Sequence, residues 1–153
     1  MIATASDPDQ EAALRALGAH HVVRSPDELE APVFGVLDMV GGSFLVSAYA
    51  ALQSGGTLVS IGQAAQTAID FGVDGIRVAR FGPGYDRTIT RFYLFAAGAT
   101  HDLAPDLTWL SGQVATGRLD PQVAWRGDWT RFGEAAGALL GRRLHGKAVL
   151  DIA

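Results

Sequence analysis

Short β-branched runs and segments of helical spacing alternate along this chain, and almost every change of period carries a glycine or a proline. That alternation limits the fold more than any other feature, because strands separated by helices pair most economically in parallel, through right-handed crossovers. Ile2 to Ala5 reads as a strand, already in mid-stride at the start of the sequence, which suggests a truncation. After Ser6, Asp7-Pro8-Asp9-Gln10 supplies an N-cap, a first-turn proline and a capping-box glutamine, so a helix is predicted from Pro8. Ala13, Leu14 and Leu17 form its apolar face, and Gly18 stops it. His21 to Val23 and Gly35 to Val40 are the next strands. A helix from Ser43 to Gln53 presents Leu45, Tyr49 and Leu52, and Thr57 to Ile61 has the continuous apolar character of a strand covered on both faces.

From Ala64 to Arg87 no period holds, and Gly72, Gly75, Gly82, Pro83 and Gly84 interrupt every candidate element. A loop of this length is expected to be functional or mobile. Arg91 to Phe95 returns to strand character, followed by a helix from Pro105 to Thr116 carrying Leu107, Leu110 and Val114. A last helix from Trp129 to Leu140 turns Trp129, Phe132, Ala136, Leu139 and Leu140 inward, and Lys147 to Ile152 forms a terminal strand. The predicted architecture is a doubly wound, mostly parallel α/β sheet in one domain over residues 1–153.

Composition removes several classes of function. A net charge of -4 supplies no basic surface for a phosphate backbone, so nucleic acid is not an expected partner. Cysteine is absent, which eliminates disulfides, thiolate nucleophiles and thiolate zinc ligands. No stretch approaches the roughly 20 apolar residues of a membrane span, and no basic, then apolar, leader opens the chain; a cytoplasmic protein without membrane contact is the expectation.

Ligands of doubly wound sheets bind beyond the carboxyl ends of the strands, here Ser6, Arg24, Val40-Gly41-Gly42 and Gly62-Gln63. Glycines at such ends let a backbone approach a flat or anionic ligand closely, although each also serves as an ordinary turn residue. A G-x-G-x-x-G phosphate cradle is missing. Asp7 is better explained as a helix cap than as a ribose-binding acid. Arg24 either meets a 2′-phosphate or stands solvated, which tilts the cofactor expectation slightly from NAD to NADP. His20-His21 point to opposite faces and carry no metal pattern; Ser60 lacks a nucleophile elbow. No coupled acid and base can be named, so no catalytic residue and no metal ligand is assigned.

Three stretches resemble the medium-chain dehydrogenase/reductases, in particular the quinone-reductase-like branch often described as zinc-binding dehydrogenase. Ile2 to Ser6 with Leu14-Arg15-Ala16-Leu17-Gly18-Ala19 resembles the second strand and helix of the cofactor domain. Asp38-Met39-Val40-Gly41-Gly42 and Gly55 to Gly62 are similar to its fourth and fifth strands. Gly117 to Pro121, Phe132 to Ala135 and Gly146 to Leu150 resemble the carboxyl-terminal signature. The resemblance implies a Rossmann-like domain holding NADP or NAD, with Ser6, Arg24 and Ser25 near the adenosine, Val40 and Gly41 near the middle, and Gly62, Gln63, Phe92 and Leu94 near the nicotinamide.

It also implies a homodimer through an edge strand at Arg91 to Phe95, and residues 147–153 leading toward a substrate domain. The family's first strand and glycine-rich turn have no counterpart here, which leaves a gap in the sheet. Lys147 to Ile152, or a partner chain, is expected to fill or cover it. The implied activity is hydride transfer between the nicotinamide cofactor and a quinone, enone or similar carbonyl compound, the isolated chain being inactive. The alternatives are an S-adenosylmethionine-dependent methyltransferase-like domain and a non-catalytic dimerising fragment.

Overall fold

The structure, a computed structural model, describes residues 1–5 and 7–152. It divides into two units, Met1–Ala97 and Gly98–Ala153. Every paired strand in both is parallel.

In the first unit, β1 (Ile2–Thr4) pairs with β2 (His21–Val23) across α1 (Glu11–Ala16). The crossover opens with a 3-10 turn, Pro8–Gln10, where the Asp7 carboxylate accepts the Asp9 amide at 3.0 Å. The predicted start and cap are present, with a tighter first turn. Gly18 closes the helix at φ +102°, a left-handed conformation that only glycine adopts without strain. A second 3-10 turn, Pro26–Glu28, follows β2.

The larger sheet has the order β3 (Val33–Asp38), β4 (Leu52–Ser60), β5 (Thr88–Arg91), with α2 (Gly42–Ala50) joining its first two strands. β4 begins five residues before the predicted run, because Ala51 ends α2 and the chain enters the strand directly. Gly55 there takes φ +76°, and a Cβ on Gly56 would stand 2.8 Å from the Phe34 carbonyl. Both glycines therefore lie inside the strand.

Leu45, Ala48 and Tyr49 of α2 pack on Leu52 and Leu58 of β4 to form the core. Each buried leucine contributes roughly 1.5–3 kcal/mol. Within the first unit, Leu58 is fully buried beneath α2, whereas Leu37, on the opposite face of the sheet, is 76% exposed.

Residues 64–87 carry only a short 3-10 turn, Gly75–Arg77, yet they are pinned along their length. Arg80 donates to the carbonyls of Pro26, Asp27 and Leu29. Arg87 lies over the Tyr49 ring at 4.3 Å and donates to the carbonyls of Tyr49, Ile76 and Gly84. Phe71 closes on Tyr49 edge to face at 5.5 Å.

The predicted strand from Arg91 to Phe95 is corrected. β5 ends at Arg91, and Leu94 and Phe95 open α3 (Leu94–Thr100), where the alanine-rich sequence after the aromatics favours a helix.

In the second unit, α4 (Ala104–Ala115) precedes β6 (Val123–Asp128), a 3-10 turn at Trp129–Arg131, α5 (Phe132–Leu140) and β7 (Lys147–Asp151). β6 has no counterpart among the predicted strands. The inward face predicted for the last helix is not formed: Trp129 is 56%, Phe132 62% and Leu140 87% exposed, and Ala135 is the buried residue of α5. A two-stranded sheet gives a helix little surface to bury against. β7 pairs with β6 from Val123↔Lys147 to Asp128↔Asp151. The expectation that this terminal strand fills the gap beside β1 is overturned, since among the described residues β1 pairs only with β2 and β3 only with β4.

Candidate functional site

The parallel register of β3 and β4 sets their carboxyl ends side by side, with Leu37 opposite Val59 and Asp38 opposite Ser60. Beyond the strands the two chains stay joined. Ile61 and Gly62 donate to the Asp38 carbonyl at 2.7 and 3.2 Å, Ala64 to that of Met39 and Ala65 to that of Val40. Phe92, just past β5, donates to the Ser60 carbonyl at 2.9 Å. Val40, Gly41, Gly62, Gln63 and Phe92 thus share one rim.

Asp38 organises this rim. Its side chain is buried, with one carboxylate oxygen accepting the Val40 amide at 3.2 Å and both accepting the Gly41 amide at 3.1 Å. The carboxylate thereby takes up donors at the head of α2 and fixes Gly41 at φ +75°. The sequence contains the signal, an aspartate with a glycine three residues on, the pattern of an Asx turn; strand periodicity alone gives Asp38 no role beyond the strand.

Both glycines of the rim are needed for close approach. A Cβ on Gly41 would lie 2.9 Å from Gln63 Cγ, and one on Gly62 would lie 2.8 Å from the Met39 carbonyl oxygen. Gln63 in turn donates from its amide to the Thr67 carbonyl at 3.1 Å, and Thr67 crowds Gly42. The Val40 and Gly41 amides are committed to Asp38 and are not open to a phosphate. The rim presents instead the exposed side chains of Met39 and Ile61 beside a flat glycine backbone, a surface suited to the uncharged part of a ligand.

The other proposed contacts lie apart in the sequence and are differently engaged. Arg24 is exposed just beyond β2, its backbone amide donating to Glu28. Ser25 caps the 3-10 turn, accepting the Asp27 amide and donating to its carboxylate. Leu94 is exposed at the start of α3. Ser6 lies outside the described residues.

The profile of the family described as zinc-binding dehydrogenase matches residues 17–150. The chain belongs to that family. No curated protein is matched. Among solved structures, a 2-haloacrylate reductase is similar over 99% of this chain and 50% of its own, at 22% identity and a TM-score of 0.77. A quinone oxidoreductase from Pseudomonas syringae is similar over 98% of this chain and 48% of its own, at 21% identity and a TM-score of 0.75. A mycobacterial protein complexed with NADPH is similar over 98% and 49%, at 19% identity and a TM-score of 0.76. The chain therefore spans about half the length of these structures. Their likeness identifies the fold as the Rossmann-like, parallel α/β fold of this dehydrogenase family.

The family's description names zinc, but the donor set of this chain does not fit it. Cysteine is absent, and among the described residues no three His, Asp or Glu side chains come together to hold a metal ion. No step is assigned to zinc.

Proposed function

We propose that this zinc-binding dehydrogenase chain is the NAD(P)-binding portion of an oxidoreductase. The intact protein would transfer hydride between a nicotinamide cofactor and a quinone, enone or similar carbonyl compound. Support comes first from one observation, the parallel register that gathers Val40, Gly41, Gly62 and Gln63 on a single rim. The names of the similar structures, quinone oxidoreductase and haloacrylate reductase, point to the same chemistry.

In this reading the rim holds the nicotinamide half of the dinucleotide, which supplies the hydride, while Phe92 and Leu94 flank it with apolar surface. Gly41 and Gly62 allow contact with the backbone, and Met39 and Ile61 keep water from the ring. Ser6, Arg24 and Ser25 serve the adenosine end, the Arg24 guanidinium pairing with a 2′-phosphate and so favouring NADP over NAD. The Val40 and Gly41 amides, taken by Asp38, do not serve the pyrophosphate in this reading, and the isolated chain binds weakly and does not turn over. Both units belong to one nucleotide-binding domain in this reading, in a cytoplasmic homodimer.

Titration of the chain with NADPH, NADH and S-adenosylmethionine, followed by thermal shift and by amide NMR shifts, tests the reading. Weak, saturable stabilisation by NADPH is expected, with shifts confined to Val40, Gly41, Gly62, Gln63 and their neighbours. Stabilisation by S-adenosylmethionine alone, or nicotinamide cofactors leaving these amides unmoved, would overturn it.

A further inference from the structure

Val40, Gly41, Gly62, Gln63 and Phe92 bring no formal charge to the rim, yet a carboxylate is buried against it. Asp38 is 6% exposed, and among the described residues no cation forms an ion pair with it. Arg91 opposes Ser60 one strand further along the sheet, and its exposed guanidinium lies over the Tyr93 ring at 5.7 Å. Burying a charge without a cation is costly, and a neutral side chain of the same shape caps a helix as well. The hydrogen bonds do not account for the charge. Oδ1 alone accepts both the Val40 and the Gly41 amides, so an asparagine would meet the same donors. Oδ2 accepts from Gly41 again and takes up no further donor. What aspartate adds to this turn is its negative charge.

That charge is held against the backbone of Gly41, while the Asp38 carbonyl accepts from Ile61 and Gly62 across the rim. Amide dipoles fix a carboxylate in place without cancelling its charge, and salt does not screen it from a group resting on these glycines. A neutral planar ring gains nothing from such a neighbour, whereas a cationic ring is attracted. When bound, a nicotinamide cofactor supplies the hydride: two electrons and a proton leave C4 of the neutral dihydropyridine ring for the acceptor carbon, the acceptor takes a second proton from water, and the ring is left a pyridinium cation.

We propose that Asp38 is the counter-charge of the oxidised nicotinamide ring, so that the rim binds NADP+ in preference to NADPH and favours reduction of the carbonyl compound over the reverse reaction. This inference rests on the reading of the rim as the nicotinamide subsite.

Amide NMR titration of the full chain with NADPH and with NADP+ tests it in the wild type, Asp38→Asn and Asp74→Asn. The last removes an exposed acid from the loop that packs, through Phe71 on Tyr49, at the other end of α2. The wild type is expected to bind NADP+ roughly tenfold more tightly than NADPH. Asp38→Asn should bring the two within about twofold, chiefly by weakening NADP+, and Asp74→Asn should keep the wild-type preference. A preference unchanged in Asp38→Asn, or lost equally in Asp74→Asn, would overturn the counter-charge and leave the cofactor reading standing. Rim amides unmoved by either cofactor in the wild type would overturn that reading, and the counter-charge with it. Ring probes free the test from how well Asp38→Asn folds. In the wild-type chain the 1-methylnicotinamide cation should shift the Gly41 and Gly62 amides far more than neutral nicotinamide does; equal shifts would overturn the proposal.

Discussion

Asp38 shows how much of the rim depends on one buried side chain. Replacement by alanine would strip the Val40 and Gly41 amides of their acceptor at a buried position, a cost of about 1–3 kcal/mol in urea unfolding. An asparagine at this position would keep one acceptor oxygen, so Asp38→Asn should lose distinctly less than Asp38→Ala; equal losses would show that the carboxylate does not organise the turn. Arg87 makes a comparable case, with a planar guanidinium serving three carbonyls and one aromatic face. A lysine cannot reproduce that fork, so Arg87→Lys should destabilise nearly as much as Arg87→Ala, about 1–3 kcal/mol. For Arg24 the readout is cofactor choice. Arg24→Ala should narrow the difference between NADPH and NADH in thermal shift without changing the melting temperature of the free chain. These roles were unevenly legible. Gly41 and Gly62 announce themselves as strand-end glycines, while Asp38 and Arg87 act through carbonyls and amides that no side-chain pattern reveals.

Elements with a strong local signal lie close to expectation. The cap at Asp7, the glycine stop at Gly18, and the strands at β2, β3 and β7 follow from turn chemistry and β-branched runs. Where two periods overlap, the pattern misleads: the aromatic run around Phe92 conceals the change from β5 into α3, and Gly55-Gly56 hides the first half of β4. The pair β6–β7 carries its own pH dependence. Asp151 is held below the usual carboxylate range by its hydrogen bonds to Arg126, Asp128 by the Thr130 hydroxyl, and Glu134 by Arg131. A carboxylate lowered on folding adds stability above its unfolded pKa of about 4 and gives it up as pH falls through the folded value. The second unit should therefore lose a small part of its stability on acidification below about pH 4, all three carboxylates being exposed, and Asp151→Asn should flatten that limb in urea unfolding followed by circular dichroism. An unchanged acid limb would remove the pair from the account.

At the scale of the whole chain, parallel α/β architecture was legible, whereas the separation of β1–β2 from β3–β4–β5 was legible only through the family resemblance, and the β6–β7 pair not at all. Periodicity tells which residues form strands; which edges meet depends on partners far away in sequence. The same holds for cover. Helical spacing marks an apolar face, but Leu37, Phe34 and Leu140 remain exposed because the residues that would face them are not supplied by the neighbouring elements. The native chain should accordingly bind the dye ANS in dilute buffer. A chain that leaves ANS dark under native conditions would contradict the exposure of these side chains.

Arg80 and Arg87 grip carbonyl oxygens, which every amino acid provides, so at those points the course of residues 64–87 does not depend on the side chains that it meets. Where those two guanidiniums hold it, that segment can drift in sequence or be rewritten by an engineer, provided Phe71 and Val78 keep their apolar contact with the core.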